Sequence, residues 1–332
     1  MGDVGCSSGR KSSRKASHEG LRGSARPQSP SPGPLMRRER RLGCLFVLPA
    51  LLLVFVMYLI PTVTTFVVSF QSADMEPHIA RVLDTANLSR IGLDNYRRAF
   101  RDTVWRTAMV NTGIYVIVVV LVTVLFSMAV ALILNQSFKG RGFLRALILI
   151  PWAVPPIVNG TMWGLVFHAD IGTLNGVLRT LGIIQRDVIW LGEPRLARLV
   201  VITATTWRLI PFVSLLLLAG LQSIPRSIYE SAKVDGANAL QSFVLITLPN
   251  LSMVILTAIT LLTLWVTKVF DEIWALTKGG PSYGTTVMNL WTYRQSFEFL
   301  RFGYGSALAY IMVFITAMLV LVNFWLRRRS EV

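Results

Sequence analysis

Six apolar stretches, near residues 43–69, 107–134, 144–167, 197–221, 251–269 and 304–326, are each close to or above the roughly 20 residues that a helix needs to cross a bilayer. Backbone groups in lipid must satisfy one another, so unbroken apolar runs of this length are read as helices. Composition agrees: only 15% of the 332 residues are charged, where soluble domains carry about a quarter. The expected fold class is therefore all-α, a polytopic membrane protein with six transmembrane helices.

Charge placement sets the orientation. Arg37, Arg38, Arg40 and Arg41 precede the first span and Arg327, Arg328 and Arg329 follow the last, so both termini are expected in the cytoplasm. Lys139, Arg141 and Arg145 in the second-to-third loop, and Arg226 and Lys233 in the fourth-to-fifth, fall on the same side. The first external loop is the exception, with Arg81, Arg90, Arg97, Arg98, Arg101 and Arg106. Asp74, Glu76, Asp84, Asp94 and Asp102 balance most of that charge. The net charge of +16 thus reads as topology-setting charge rather than a nucleic-acid surface.

Residues 1–41 are rich in Ser, Gly, Pro and Arg and lack the apolar content for a core, so they are expected to form a disordered basic cytoplasmic tail. Residues 42–326 form the transmembrane domain, and 327–332 a cytoplasmic C-terminal tail. Anionic membrane lipid is a candidate partner for the basic tail. Cys6 and Cys44 support neither a disulfide framework nor a metal site, and His18, His78 and His168 are scattered. No phosphate-binding loop, zinc-protease motif or nucleophile elbow occurs, so no catalytic residue is assigned and no enzymatic activity is expected.

Within the spans, Pro49, Pro61, Pro151, Pro155, Pro156 and Pro211 each remove a backbone donor. The Pro155–Pro156 pair beside Asn159 and Thr161 is expected to break the third span, and a broken helix with polar side chains commonly lines a transport cavity. Arg208 lies well inside the fourth span and needs a partner or water. Lys268, Asp271 and Glu272 are placed at the outer end of the fifth, where snorkelling is the expected account. Asp271 and Glu272, being adjacent, point to different faces of a helix. Of Trp152, Trp163, Trp207, Trp265, Trp274 and Trp291, most are expected in interfacial belts. Trp163 and Trp265 lie deeper and are candidates for stacking on a sugar ring. Asn159, Thr161, Trp163, Arg208 and Trp265 are thus the candidate pathway residues.

One polar island, SIPRSIYESAKVDGANALQSFVLITLP at 223–249, interrupts the spans on the cytoplasmic side. Ile224, Ile228 and Ala232, then Leu240, Phe243 and Val244, recur at helical spacing, which predicts two short amphipathic helices. Gly236 tolerates the positive φ needed to end the first. Pro225 suits the first helical turn and Pro249 is expected to close the segment. Ser227-x-x-Glu230 reads as a capping box. Such a hairpin leaves an apolar face that a partner must cover.

The island resembles the EAA loop of integral-membrane subunits of binding-protein-dependent ABC importers. The pattern is E-A-A, three residues, Gly, nine residues, then I-x-L-P. It reads here as Glu230, Ser231 and Ala232, then Gly236, then Ile246, Leu248 and Pro249, with every spacing kept and Ser231 replacing the first Ala. Gly92, Leu93, Asp94, Asn95 and Tyr96, followed by Asn111 and Thr112, are similar to the approach to the second span in carbohydrate-type permeases of the maltose and glycerol-phosphate systems. Gly172, Asn175, Leu178 and Gly182 are similar to the external loop after their third span. Leu276, Thr277, Gly279, Gly280, Pro281 and Thr285, after Phe270 and Asp271, resemble the fifth-to-sixth loop of the MalF-like or UgpA-like permease.

The resemblance implies a type I ABC importer permease bundle in the bacterial cell membrane, carrying a carbohydrate or polyol-type solute. It implies a second homologous permease, two ATP-binding subunits and an extracytoplasmic solute-binding protein as partners. ATP and Mg would be used by the ATPase, with no cofactor bound by this chain. Within a coupling loop spanning 222–250, Glu230, Ser231, Ala232, Asp235, Gly236, Ile246, Leu248 and Pro249 would form the ATPase-coupling surface, with Glu230 facing a basic group. Read without the resemblance, the same spans suit a secondary transporter or channel with Arg208 and Asp271 as coupling charges, or a membrane scaffold that recruits a cytoplasmic partner.

Overall fold

The computed structural model describes residues 34–71 and 91–330. The N-terminal part of the basic tail with Cys6 and His18, and the loop carrying Asp74, Glu76, His78, Arg81, Asp84 and Arg90, lie outside them. Among the described residues the chain is helical, with one isolated bridge pairing Gln71 and Ile91.

Two compact units are present, residues 1–60 and 61–332. In the first, helix α1 runs Pro34–Val54 and continues into a π-turn, Phe55–Leu59. Residues 34–41, assigned above to a disordered tail, are instead its first turns. Proline suits a helix start, and Leu, Met, Arg and Glu then favour continuation.

Helix α2 is Ile60–Ser69, α3 Asp94–Arg101 and α4 Thr103–Asn135. Helices α5 (Arg141–Ile148), α6 (Ile150–Ala153) and α7 (Pro156–Val166) make up the third apolar stretch. Then come α8 (Thr173–Thr180), α9 (Pro194–Ser223), α10 (Arg226–Val234), α11 (Ala239–Ser242) and α12 (Leu248–Thr267). The chain closes with α13 (Asp271–Leu276), α14 (Met288–Tyr293) and α15 (Phe302–Ser330). The residues after 326, placed above in a separate tail, continue α15 as far as Ser330.

Among the described residues five helical segments are long and apolar enough to cross a membrane, and the third stretch makes a sixth if its two halves, bent by 92°, count as one span. The bend has a local cause. Each residue preceding a proline is pushed out of the α region, and Val154 and Pro155 are both extended, with ψ of 126° and 140°. Pro211, by contrast, leaves α9 unbroken. Pro61 and Pro249 each lie two residues past a π-turn, Phe55–Leu59 and Phe243–Thr247. There the Leu248 N–H reaches back to Phe243 O. This wider turn adjusts the helix next to a residue that has no N–H to donate.

Helix α9 is the axis of the 61–332 unit. Its Val200, Val201, Ala204, Leu217 and Leu221 are buried with Val119, Ala131 and Leu134 of α4 and Leu251, Ala258 and Leu262 of α12. Small residues at these contacts let backbones approach, the usual basis of helix association where lipid supplies no hydrophobic drive. Polar links join the same helices: Ser127 Oγ donates to Ile210 O at 3.0 Å, and the Tyr115 and Thr205 hydroxyls hydrogen-bond each other.

A second cluster, including Ala99, Trp105, Ala108, Trp291, Tyr304 and Leu308, surrounds Asp102. The Asp102 carboxylate caps α4 by accepting the N–H groups of Val104 and Trp105 at 2.8 and 3.1 Å. It also accepts Trp291 Nε1–H at 2.9 Å and the Tyr304 hydroxyl at 2.7 Å. Burial pushes its pKa up, but the Tyr304, Trp105, Trp291 and Val104 donors outweigh that and hold it below the usual carboxylate value. A lowered folded-state pKa stabilises fully above the unfolded value, and the contribution is lost as pH falls through the folded one. Asp102→Ala removes a cap and leaves two donors unpaired, so it should cost about 2 kcal/mol or more, read as a lowered melting temperature near neutral pH. An unchanged melting curve would refute this role.

The segments that resemble permease sequences are tied down by their asparagines. Asn95 Nδ2 donates to Ser69 O and Gln71 O at 3.1 and 2.8 Å. Asn111 Nδ2 joins α4 to the loop before α14 through Tyr283 O and Thr286 O at 3.1 and 3.0 Å. Asn175 Oδ1 accepts Trp190 Nε1–H at 2.8 Å, while its Nδ2 holds Ala169 O and Val188 O.

Candidate functional site

Two regions collect the candidate residues. The first is the hairpin that follows α9. Helix α10 ends in a Schellman arrangement: Gly236 N–H bonds Lys233 O at 3.1 Å and Ala237 N–H bonds Ala232 O at 2.9 Å. Gly236 itself has φ +79°, the left-handed region that the motif needs. Asn238 then caps α11 in a reciprocal box with Gln241, both bonds at 2.9 Å. Tyr229 and Thr247 hydroxyls, 3.0 Å apart, fasten the two limbs.

Two expectations change here. The capping box is Asn238–Gln241 and not Ser227–Glu230, because Pro225 is the N-cap of α10 and Ser227 already lies inside the helix. Pro249 does not close the segment either, since Ala239–Thr267 is one continuous span. Glu230 and Ser231 are exposed, and Glu230 is in no ion pair among the described residues. Asp235 is exposed at the turn, and Ala232, Ile246 and Leu248 are half-buried. Around them Val234, Leu240 and Leu245 are 88%, 71% and 72% exposed, so the tip of the hairpin presents apolar surface beside a carboxylate.

The second region is a cavity of about 150 Å³ lined by Arg208, Trp265, Lys268, Asp271 and Glu272, with Thr205 beside them. Arg208 finds its partner in Glu272: both its Nε and one terminal nitrogen approach Oε1, at 2.8 and 2.7 Å. Snorkelling fits exposed Lys268 and Asp271 but not Glu272, whose side chain is only 2% exposed. The two adjacent carboxylates differ in burial, Asp271 exposed and Glu272 buried, although both line the cavity. What buries Glu272 is the close contact of α13 with α7 at Gly160, where a Cβ would lie 2.7 Å from Ala275 Cβ and 3.1 Å from Glu272 O. Glu272 and Gly160 are the site residues that sequence reasoning missed. No sequence signal specified this docking of α13.

The pathway candidates divide. Arg208 and Trp265 share the cavity, and Trp265 is 41% exposed with its ring against Phe212. Asn159, Thr161 and Trp163 do not line it. Asn159 is buried, its Nδ2 donating to Ala204 O at 3.1 Å. Thr161 is exposed and bonds its own helix at Val158 O. Trp163 packs against Phe167 and Trp207, at 5.6 and 5.8 Å between centroids. Asn159 Oδ1 and Trp163 Nε1 are buried without a partner among the described residues. Trp291 is buried on Asp102, and Trp274 stacks on Phe270. The described residues hold no group of three or more potential metal ligands.

Residues 123–331 match the family model described as binding-protein-dependent transport system inner membrane component. The chain belongs to that family. Among its relatives, the trehalose/maltose transport system permease protein MalF of Thermococcus litoralis is 38% identical over 285 residues, covering 86% of this chain and 92% of that protein. The sulfoquinovosyl glycerol transport system permease protein SmoG of Agrobacterium fabrum is 32% identical, covering 82% and 86%. The lactose transport system permease protein LacF of Rhizobium radiobacter is 31% identical, covering 87% and 95%. In fold, the chain is similar to a crystal structure of a bacterial ABC transporter involved in import of the acidic polysaccharide alginate, with TM-score 0.75, 22% identity, and coverage of 89% of this chain and 98% of that one. The all-helical fold expected from the spans, and the importer-permease bundle that the resemblance implied, are thereby established. As an inner membrane component of a binding-protein-dependent system, the permease is a transport subunit, so the channel and scaffold readings fall away.

Proposed function

We propose that this permease carries a carbohydrate or polyol-type solute inward as one half of an ATP-driven importer. It takes the solute from an extracytoplasmic binding protein, pairs with a second homologous permease, and receives its energy from two cytoplasmic ATP-binding subunits that use ATP and Mg. Both termini and the 223–249 hairpin face the cytoplasm. The observation that carries the reading is the hairpin itself. Its family-type spacing coincides with a two-helix turn whose tip exposes Glu230 beside Val234, Leu240 and Leu245. An exposed carboxylate next to apolar surface suits a complementary protein groove with a basic group. Relatives named for trehalose/maltose, sulfoquinovosyl glycerol and lactose transport support the solute class.

In this reading the cavity beside Arg208 and Glu272 lies on the solute path. Trp265 offers an aromatic face and Lys268 and Asp271 offer polar groups, the combination that sugar rings and hydroxyls require. Trp265→Ala should lower solute uptake into proteoliposomes about tenfold, the scale of one lost aromatic contact, with assembly unchanged. Uptake equal to wild type would remove Trp265 from the path. Thermal-shift screening of the cognate binding protein against sugars and polyols identifies the solute, because only a bound ligand stabilises the native state. Uptake of that solute that persists without the ATP-binding subunits would overturn the proposal.

A further inference from the structure

Where α4 and α9 end next to α5 and α10, a cleft of about 460 Å³ opens, lined by Arg141, Arg145, Arg226, Asn135, Gln222 and Tyr229. No carboxylate lines it. None of its three arginines is in an ion pair among the described residues. Arg145 is held in place by a bond from its terminal nitrogen to Leu134 O at 3.1 Å, yet its Nε is buried without a partner. Arg141, four residues earlier on α5, shares its face, and Arg226 reaches the cleft from α10. Three uncompensated guanidinium groups around one polar cleft call for an anion with several acceptor oxygens.

The surroundings identify its source. Helix α5 opens the broken third span, and its Phe143 and Leu147, one turn apart, are 75% and 46% exposed. An amphipathic helix of this kind places its cationic groups at headgroup depth and its apolar residues among acyl chains. We infer that the cleft binds the phosphodiester of an anionic phospholipid, with Arg141, Arg145 and Arg226 on the phosphate oxygens, Asn135 and Gln222 within reach of the headgroup hydroxyls, and the acyl chains along Phe143 and Leu147. Because Arg226 and Tyr229 belong to α10, the bound headgroup ties the hairpin to α5. The site goes beyond the transport reading, and its occupancy is independent of which solute is carried.

Native mass spectrometry of the full-length protein in mild detergent, with phosphatidylglycerol or phosphatidylcholine added, tests this. The wild type should retain phosphatidylglycerol in preference to phosphatidylcholine. Arg141→Gln with Arg226→Gln, both at exposed side chains, should reduce retained phosphatidylglycerol about tenfold or more, while lysine at the same positions keeps most of it. Equal retention by wild type and the glutamine variant overturns the site. Displacement of the lipid by equimolar inorganic phosphate overturns the lipid as source, and cross-linking of position 145 to a copurifying protein subunit in place of lipid assigns the cleft to a protein partner instead. Bound lipid is weighed directly, so a protein that imports nothing still gives a decisive result.

Discussion

Glu272→Ala is expected to be among the most destabilising single substitutions in the permease, costing about 3–5 kcal/mol by leaving the Arg208 guanidinium without its counter-charge inside the bundle. Both guanidinium contacts converge on Glu272 Oε1, at 2.7 and 2.8 Å, and the Arg208 side chain is only 17% exposed. No other carboxylate pairs with Arg208 among the described residues. Thermal unfolding in detergent should show a large downward shift, with a smaller one for Glu272→Gln, which keeps a hydrogen-bonding oxygen. Replacing both partners, Arg208→Met with Glu272→Leu, should recover most of the stability, since an apolar pair of similar volume removes both desolvation costs. Uptake should not recover, because both residues line the cavity with Trp265. Full uptake by the stable double variant would show that the pair only holds helices together.

How far this site could be read from the chain alone follows from the range of the interactions. The spans are legible because length and apolarity are local properties, and the 92° break in the third follows from two consecutive prolines. The Gly236 turn is equally local. Glu272 was not legible, because in sequence it sits beside Lys268 and Asp271 and looks like one more charge at the end of a span. Its burial depends on α13 docking against α7 through Gly160, a contact across more than a hundred residues. The structural role of Asp102 is hidden in the sequence for the same reason. Counted as one acidic charge among loop arginines, it joins α4 to α14 and α15 through Trp291 and Tyr304. The misplaced capping box differs, since Asn238-x-x-Gln241 was as visible as Ser227-x-x-Glu230. Pro225 decides between them, because a helix starting just after it leaves Ser227 past the cap position.

Gly236→Val should abolish association with the proposed ATP-binding subunit while leaving the spans inserted. Space is not the obstacle, because a Cβ at Gly236 would meet nothing within 4 Å. The obstacle is the φ of +79°, which a β-branched residue adopts only at a cost of about 2 kcal/mol or more. Relieving it means opening the Schellman closure, so the Ala237 N–H releases Ala232 O and the direction of α10 relative to α11 is lost. Glu230, Val234 and Leu240 would then no longer present one surface, although the span from Ala239 to Thr267 continues unaffected. Asparagine tolerates the left-handed region, so Gly236→Asn should retain most of the association. That contrast separates conformation from contact. A pulldown in which valine binds like wild type would sink the docking role of the hairpin, and one in which asparagine fails as completely as valine would mean that the glycine is touched by the partner directly. With Glu230 exposed and uninvolved in capping, its carboxylate remains available to that partner, and the fixed turn is what aims it.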